Sequence, residues 1–572
     1  MNSKQWHQHT LGIRQQGSRL TAIVCIAFLS LSSVGQEKSQ SGLEIKAERA
    51  MLDQPVRAPH AMIASANPLA TEAGLKVLQA GGNAVDAAVA VAVALAVVHP
   101  EAGNLGGSGH MMIRMADGRV AAIDYSGMSP AATVSTTPFK ELQFGYKSAA
   151  VPGTPAGLGL AHDTFGKLSW KQCLQPAYEL AEKGFPASQR MELILNLQVP
   201  VMKQFPESSK IFMHGSDKPL KQGEWVVQHD LAATIARMQK SGWREFYTGK
   251  TAQLIAADMA VHGGWISEQD LRDYKAEIHE PIKTTYRGYQ IFTSAPSASG
   301  GLTEAVALNT LEHESLPLGS EGSSMTRHMQ IEALRRGFEA TRRYERTDEK
   351  TPLSEFVSKE YADKAASTIL PDKATLNGTS DPDTHESTET THFSVIDAEG
   401  NIVSNTYTLS GFYGSQVIPA GTGVLLNNHM SVFNHDPYTK YFLAPHQRYI
   451  TTLAPTILLH PDGTPWAAFG SPGSATIPST VVQIVNNLVD FKMSLRDAVE
   501  YPRIHFDLRK NEVEAEPGAL VTDVADRLKA MGYKLDPKLR SQGDVNAVEI
   551  EDSTGWRVGS SDGRRGGAAE GY

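Results

Sequence analysis

A run made almost wholly of alanine and valine between Asn83 and Val98 constrains the fold more than any other part of the sequence. A helix without a polar face is stable in a globular protein only when it is buried on all sides. The chain has 572 residues, of which 41% are hydrophobic and 20% are charged. That length and composition are sufficient to enclose a large core. The sequence therefore predicts a large globular protein and excludes a disordered, collagen-like or coiled-coil chain.

Helix-like patterns precede strand-like patterns along the chain. Apolar residues recur three and four positions apart over 68–78, and 329–343 has an amphipathic pattern whose arginines predict a solvated face. Segment 371–389 is polar and rich in turn residues, which predicts an exposed linker. Strand-like segments follow from residue 390. Helices before strands, without an internal repeat, favour a layered α+β architecture.

The glycine-rich segment 103–109 lies between the buried helix and a strand-like segment. A phosphate-binding loop would follow a strand and would carry a Lys-Ser/Thr pair, and this segment has neither feature. We therefore interpret these glycines as positions where two backbones pack closely.

The balance of charge and the cysteine count exclude several classes of function. The formal net charge of −9 at pH 7 makes nucleic acid and an anionic membrane surface poor partners. The two cysteines, Cys25 and Cys173, cannot supply a disulfide framework. No group of Cys and His residues has the spacing of a zinc site. The sequence thus predicts neither a metal nor another cofactor.

Residues 1–35 have the pattern of a secretory signal peptide, with Arg14 and Arg19 before a short apolar run and small residues after it. The apolar run is too short to span a hydrocarbon core of about 30 Å. The alternative interpretation is an uncleaved membrane anchor. We expect export to the periplasm or the medium, a mature chain that begins near Gln36, and no stable membrane insertion.

The segment that follows the linker predicts a β-hairpin. Its two strand-like halves flank a three-residue loop that ends in Gly400, which is a favoured hairpin connection with glycine in the left-handed conformation. If Asp397 faces Asn401, then Thr390 faces Thr408 to within one residue. The hairpin would therefore bring two hydroxyl groups together directly after the linker.

This arrangement suits a hydrolase that uses an N-terminal nucleophile. The Thr390 hydroxyl would attack the carbonyl carbon of Glu389, and hydrolysis of the resulting ester would release the α-amine of Thr390. That amine, with an ordinary pKa near ~8, can act as the base for the same hydroxyl. Threonine is also common in strands, so this segment alone is better explained by ordinary β-propensity.

An ordered set of further motifs runs along the chain. They are Gly81-Gly82-Asn83-Ala84-Val85-Asp86-Ala87-Ala88, Ala102-Gly103-Asn104-Leu105-Gly106-Gly107, Val151-Pro152-Gly153-Thr154, Tyr286-Arg287-Gly288-Tyr289, Thr390-Thr391-His392-Phe393-Ser394, Leu425-Leu426-Asn427-Asn428, Gly470-Ser471-Pro472-Gly473 and Gly571-Tyr572. With these motifs the chain resembles the γ-glutamyltranspeptidase family, also called glutathione hydrolases. The resemblance implies a four-layer αββα sandwich. It also implies a precursor that cuts itself into a large subunit, 36–389, and a small subunit, 390–572, which fold as one unit and remain together as a heterodimer.

The resemblance further implies roles for individual residues. Thr390 would be the nucleophile, Thr408 its supporting hydroxyl, and the backbone N–H groups of Gly473 and Ser474 the oxyanion hole. The family passes a γ-glutamyl group from a small-molecule amide to water or to an amino acid. The positions matching its substrate pocket are Ser126, Ser410, His429, Thr451 and Thr452.

Several of these pocket positions depart from the family pattern. Ser126 stands where an arginine is expected, and Val432 stands where the second of two aspartates is expected. A serine pair has become Thr451-Thr452, an asparagine has become Ser410, and the second oxyanion glycine has become Ser474. The nucleophile is therefore kept while the charged anchors for the glutamate α-carboxylate and α-amine are lost.

Three functions remain open on the sequence. The first is an exported, self-processing γ-glutamyltransferase or glutathione hydrolase. The second is an amidase of the same mechanism for an acyl group without the zwitterion, such as glutaryl. Arg448, just before the Thr451-Thr452 pair, could still hold a carboxylate from another side, which keeps glutathione open as a substrate of the first function. The third is a secreted binding homologue that has lost activity. Poor recognition of the zwitterion predicts that a glutaryl amide is cleaved at least as efficiently as the matching γ-glutamyl amide.

Overall fold

The computed structural model describes residues 55–375 and 389–572. The predicted signal segment and residues 376–388 of the predicted linker lie outside the described residues. The subunit boundaries proposed from the sequence therefore stay predictions.

Two seven-stranded sheets form the centre of the fold. In strand order they are β1-β17-β16-β13-β12-β9-β8 and β18-β2-β10-β11-β3-β4-β7. The strands are β1 (Val56–Ala58), β2 (Met62–Ser65), β3 (Ser108–Arg114), β4 (Val120–Tyr125), β5 (Phe185–Pro186), β6 (Trp225–Val226), β7 (Glu277–His279), β8 (Ile282–Tyr286), β9 (Tyr289–Thr293), β10 (Glu389–Ile396), β11 (Ile402–Ser410), β12 (Thr456–Leu459), β13 (Pro465–Phe469), β14 (Ile504–Asp507), β15 (Glu512–Ala515), β16 (Asn546–Ile550), β17 (Arg557–Ser561) and β18 (Ala568–Gly571). Strands β5 and β6 form a separate pair, as do β14 and β15.

Helices cover the outer faces of both sheets. The α-helices are α1 (Pro68–Gln79), α2 (Ala84–Val98), α3 (Thr154–Phe165), α4 (Trp170–Lys183), α5 (Gln189–Met202), α6 (Pro206–Phe212), α7 (His229–Ser241), α8 (Glu245–Thr248), α9 (Lys250–His262), α10 (Glu268–Asp273), α11 (Ser299–Leu311), α12 (Ser324–Tyr344), α13 (Leu353–Phe356), α14 (Lys359–Ala366), α15 (Thr476–Val489), α16 (Leu495–Glu500) and α17 (Thr522–Ala530). Short 3₁₀ turns occupy Phe139–Glu141, Tyr146–Ser148 and His429–Val432.

The packing of these elements makes the predicted four-layer αββα sandwich. The two sheets face each other through β10, β11, β13 and β16. Apolar side chains such as Met62, Ile402 and Val548 fill the space between them. Helices α1 and α2 pack on the sheet that contains β10, and α11 and α15 belong to the apolar cluster on the other sheet. Each sheet therefore buries both faces, which explains why its central strands carry few exposed side chains.

The alanine- and valine-rich run forms α2, and all of its residues are buried, as predicted. Asn83 caps this helix by accepting from the backbone N–H groups of Val85 and Asp86, and the Asp86 carboxylate accepts from the Asn83 N–H in return. This reciprocal capping box satisfies backbone donors at the first turn. One face of α2 packs on β10 and β11, which carry the predicted nucleophile region.

The predicted hairpin is confirmed as strands β10 and β11. Their antiparallel register runs from Ile396 opposite Ile402 to Thr391 opposite Tyr407. Gly400 in the connecting loop has a φ of +83°, the left-handed conformation that favours glycine. The register shifts between Thr391 and Glu389, so a β-bulge lies at the predicted cleavage site.

The predicted solvated arginine face of the helix at 329–343 is wrong for Arg335 and Arg336, although Arg343 is exposed. Helix α12 is longer than expected, and its residues Arg327, Arg335 and Arg336 are buried. Arg336 pairs with Glu332 one turn away, at 2.7 Å, and the guanidinium of Arg335 lies over the ring of Phe506. The amphipathic pattern fits a surface helix, but neighbouring segments cover this face, with Phe506 of β14 over Arg335 and the carbonyl oxygen of Ala365 accepting from Arg336.

None of the helices in residues 55–375 and 389–572 is both long enough and apolar enough to cross a bilayer.

Candidate active site

The predicted cleavage site lies at the start of a central strand. Glu389 and Thr390 are the first two residues of β10, and each is 1% exposed. The Thr390 Oγ1 atom has no hydrogen-bond partner among the described residues. A buried hydroxyl without a partner is uncommon and costs free energy. A hydroxyl in this state, at a bulge in the strand, is a candidate nucleophile.

The hydroxyl of Thr408 acts on the peptide bond that precedes Thr390. Thr408 Oγ1 donates to the carbonyl oxygen of Glu389 at 2.5 Å and accepts from the backbone N–H of Ser410 at 2.7 Å. In the uncleaved chain its single proton is therefore directed at the carbonyl oxygen and not at the Thr390 hydroxyl. A donor in this position would stabilise negative charge on that oxygen during attack on the carbonyl carbon.

The glycine-rich loop holds β11 in place beside this site. A Cβ on Gly107 would lie 2.2 Å from the carbonyl oxygen of Thr408, and one on Gly106 would lie 2.0 Å from that of Leu425. The predicted close packing of backbones is thus confirmed. Asn104 contributes from the same loop, because its Oδ1 accepts from the Thr154 hydroxyl at 2.6 Å.

Two arginines hold the side chain of Glu389. Nη2 of Arg190 lies 3.2 Å from Glu389 Oε2, and Nη1 of Arg565 contacts Glu389 Oε1. Arg190 also lies 3.3 Å from the buried Glu101 carboxylate. Burial, and then the charge of Asp562, raise the pKa of the nearby Asp544 carboxyl to about 8. The acyl side of the cleavage site is therefore a buried cluster of two cations and several acids.

The predicted oxyanion residues lie in a strained loop before α15. Gly473 has a φ of +130° and Ser474 a φ of +59°. A Cβ on Gly473 would lie 3.4 Å from the backbone nitrogen of Gly543, and the next residue, Asp544, donates its N–H to Ser471 of the loop at 3.0 Å. The charge of Glu389 also acts on Asp544 and raises the pKa of its carboxyl. The loop therefore lies near the cleavage site, and the role of its N–H groups as an oxyanion hole stays a prediction.

The two threonines predicted to bind substrate have different surroundings. Thr451 is buried, and its carbonyl oxygen accepts from the backbone N–H of Ser299 at 2.7 Å. The Thr452 hydroxyl donates to the carbonyl oxygen of Ser474 at 2.9 Å. Thr452 is therefore attached to the predicted oxyanion loop, whereas Thr451 anchors the segment to the start of α11.

Ser126 lies in a buried polar group on β3 and β4. Its Oγ is 3.1 Å from His110 Nε2, and its N–H donates to Asp124 Oδ1 at 2.7 Å. Arg448 donates through Nη1 to the carbonyl oxygen of Ser126 at 3.0 Å, and its Nη2 lies 3.2 Å from the Glu277 carboxylate. These contacts occupy the guanidinium, so the structure does not favour Arg448 as the partner of a substrate carboxylate.

His429 is buried beside this group. Its ring stacks on Tyr449 with centroids 4.4 Å apart, and the Tyr449 hydroxyl is 2.7 Å from that of Ser108, which pairs with Thr408. Burial lowers the pKa of His429 to about 3, so the ring is neutral at physiological pH. Val432 packs against the small apolar cluster that contains Tyr449. Neither His429 nor Val432 therefore supplies a negative charge for an ammonium group.

One group of described residues has the ligand types of a metal site, namely Asp86, His162 and Cys173. The Asp86 carboxylate, however, already accepts from the backbone N–H groups of Asn83, Lys167 and Leu168. Burial raises the pKa of the Cys173 thiol, which disfavours the thiolate that binds metals. These three residues fit a helix cap better than a metal centre.

Sequence reasoning missed Arg190 and Arg565. Neither belongs to a motif that the sequence analysis singled out, and they are far apart in the chain. The available signal was Glu389 itself, because a glutamate that becomes buried in a central strand needs a cationic partner.

Two facing sheets between helical layers, with a buried threonine at the start of a central strand, are the architecture of an N-terminal nucleophile hydrolase. The chain matches the family Gamma-glutamyltranspeptidase over residues 70–572, and it belongs to that family. The predicted family, fold class and enzyme class are thereby confirmed.

Individual relatives agree with this assignment. The chain is 34% identical to the glutathione hydrolase proenzyme of Escherichia coli K12 over 533 residues, which covers 89% of this chain and 91% of that protein. It is also 34% identical to the acylase ACY 1 proenzyme of Pseudomonas sp. strain V22, with coverage of 86% and 90%. The crystal structure of cephalosporin acylase from Bacillus halodurans superposes with a TM-score of 0.82 at 28% identity, covering 91% of this chain and 97% of that one.

Proposed function

We propose that the chain cleaves itself between Glu389 and Thr390 and then acts as a threonine hydrolase and acyltransferase. The observation that carries the proposal is the hydrogen bond from the Thr408 hydroxyl to the Glu389 carbonyl oxygen, directly before the unpartnered Thr390 hydroxyl. The nucleophile, the carbonyl and a donor for the developing oxyanion belong to one hairpin. The relatives named as proenzymes agree with such a step.

The self-cleavage is an N-to-O acyl shift followed by hydrolysis. Thr390 Oγ1 attacks the carbonyl carbon of Glu389, the C–N bond breaks, and the hydroxyl proton passes to the departing nitrogen. This leaves an ester between the Glu389 acyl group and Thr390 Oγ1. Water then hydrolyses the ester, which gives a C-terminal carboxylate on Glu389 and restores the hydroxyl of Thr390, now beside its own α-amine.

The mature enzyme would repeat the same chemistry on an amide substrate. Thr390 would attack the acyl carbonyl with its α-amine as base, and the N–H groups of Gly473 and Ser474 would bind the oxyanion. The acyl group would then pass to water or to an amino acid. By similarity to the glutathione hydrolases, the first candidate for the acyl group is γ-glutamyl. The signal pattern at 1–35 supports export of the enzyme. Its two subunits would remain together after the cleavage.

A second candidate is an acylase for dicarboxylic acyl amides such as glutaryl. The observation that favours it is that Val432 packs against an apolar cluster and that the Ser126 hydroxyl contacts His110, so neither side chain supplies a charge for a zwitterion. The likeness to an acylase proenzyme and to a cephalosporin acylase points the same way.

Replacement of the nucleophile tests the proposal. Wild-type protein should give two bands on a denaturing gel, and Thr390→Ala should give one full-length band because no hydroxyl attacks the carbonyl. The neighbouring Thr391→Ala is the matched control and should still be cleaved at the same bond. Cleavage of Thr390→Ala at this bond would refute the assignment of the nucleophile.

Kinetics separates the two substrates. We expect kcat/KM for glutaryl p-nitroanilide to equal or exceed that for γ-glutamyl p-nitroanilide. A tenfold preference for the γ-glutamyl anilide would favour the first candidate. A protein that neither cleaves itself nor hydrolyses either anilide would be the inactive binding homologue.

A further inference from the structure

We propose that Arg190 and Arg565, which hold the Glu389 carboxylate in the uncleaved chain, bind the terminal carboxylate of the acyl substrate after self-cleavage. The inference rests on the proposed function, because it requires the bond after Glu389 to be cut. It identifies the substrate class as amides of a five-carbon dicarboxylic acid, in which a carboxylate ends the acyl chain.

The covalent structure of Glu389 sets the length of that acyl chain. Its carbonyl oxygen accepts the hydrogen bond from Thr408, while its carboxylate contacts Arg190 and Arg565. Cα, Cβ and Cγ separate the carbonyl carbon from the carboxylate carbon. A glutaryl group, and equally a γ-glutamyl group, places the same number of carbons between these two carbons. The precursor therefore presents to Thr390 an acyl group with the spacing of the proposed substrate.

The electrostatics of the pocket favour refilling it with an anion. The side chains of Arg190 and Arg565 are only 19% and 21% exposed. When Glu389 becomes a chain end and moves away, two guanidinium groups that are largely out of water lose their shared carboxylate. A partly buried cation without a counter-ion is costly, and a guanidinium binds a carboxylate through directed, charge-assisted hydrogen bonds.

The neighbouring acids do not cancel these charges. Glu101 lies 3.3 Å from Arg190, but burial raises the pKa of its carboxyl and so favours the neutral form. Burial and the charge of Asp562 favour the neutral form of Asp544, against the opposing effect of the two arginines. One further carboxylate, supplied by the substrate, restores the balance that Glu389 maintained. This pair also compensates for the arginine that is missing at Ser126.

Binding to the full-length protein tests the inference without turnover. Glutarate, which has a carboxylate at each end, and valerate, which has a methyl group in place of one of them, are titrated calorimetrically into self-cleaved wild-type protein. We expect glutarate to bind at least tenfold more tightly than valerate. Uncleaved Thr390→Ala, which keeps Glu389 in the pocket, should show no such preference. Equal affinities of the two ligands for the cleaved protein would overturn the inference.

Kinetics of arginine variants provides the second test. Arg565→Gln should raise KM for glutaryl p-nitroanilide at least tenfold and leave KM for valeryl p-nitroanilide within twofold, because only the first has the carboxylate. KM does not depend on the fraction of protein that has been cleaved. Arg565→Lys should rescue part of the loss, and the exposed Arg57→Gln should match the wild type.

The outcomes distinguish this inference from the proposed function. If wild-type protein is cleaved and active but Arg565→Gln affects both anilides equally or neither, the carboxylate assignment is refuted while the function stands. If wild-type protein is cleaved but hydrolyses no anilide, the proposed function fails, and the glutarate titration still decides the carboxylate assignment.

Discussion

Removal of the Thr408 hydroxyl should slow self-cleavage by about a hundredfold. In the uncleaved chain this hydroxyl donates to the carbonyl oxygen of Glu389 at 2.5 Å, in surroundings that exclude water. That oxygen becomes negatively charged when Thr390 attacks. Loss of one donor to a developing oxyanion costs about 3 kcal/mol of barrier, and each 1.36 kcal/mol changes the rate about tenfold. Thr408→Val keeps the shape of the side chain and removes only the donor.

The same variant should also lose stability for a separate reason. The Thr408 hydroxyl accepts from the buried N–H of Ser410, and valine removes this hydrogen bond. We expect a loss of about 1–3 kcal/mol in the free energy of unfolding. Thr408→Ser retains both hydrogen bonds and is the matched control for the rate of cleavage.

The assay follows the fraction of two-chain product on denaturing gels after a pulse of cell-free synthesis at constant temperature. The rate of self-cleavage of Thr408→Ser should lie within a few-fold of the wild-type rate, and that of Thr408→Val should be about a hundredfold lower. Thr408→Val should still show a cooperative unfolding transition. A folded Thr408→Val that processes at the wild-type rate would show that the hydrogen bond to the carbonyl has no part in self-cleavage.

Three other expectations concern parts of the molecule around the site. Gly107→Ala would place a Cβ 2.2 Å from the carbonyl oxygen of Thr408 and should slow self-cleavage, as followed on denaturing gels. The control is Gly322→Ala, whose Cβ would lie 3.2 Å from the Tyr501 hydroxyl and which should be cleaved at the normal rate. Equal rates for the two variants would argue against the role of the glycine loop. Burial raises the pKa of Glu304 from 4.5 to about 8, so the folded state keeps a proton that the unfolded state releases. The free energy of unfolding should therefore fall as the pH rises from 4.5 to 8, by up to about 5 kcal/mol from this group. Denaturant unfolding of Glu304→Gln should show a smaller fall than wild type, and parallel pH profiles would contradict the assigned cause. Mass spectrometry of the exported protein should find a mature start near Gln36, and a mature chain that still carries Met1 would exclude the signal peptide.

Local patterns in the sequence were sufficient for several features of this fold. The alanine and valine run had to form a helix enclosed on all sides, because no face of it can meet water favourably. The loop ending in Gly400 set the register of the hairpin, since the turn geometry determines which residues oppose each other. Both inferences rest on neighbours in the chain, and the structure confirms both.

Features that depend on distant partners were decided by the tertiary structure. The arginines of α12 looked solvated because a helical pattern does not show whether another layer covers its polar face, and α12 is covered. Arg190 and Arg565 are separated by most of the chain, yet both contact Glu389. Burial of a carboxylate requires cations nearby, but only the packing of the layers determines which cations reach it.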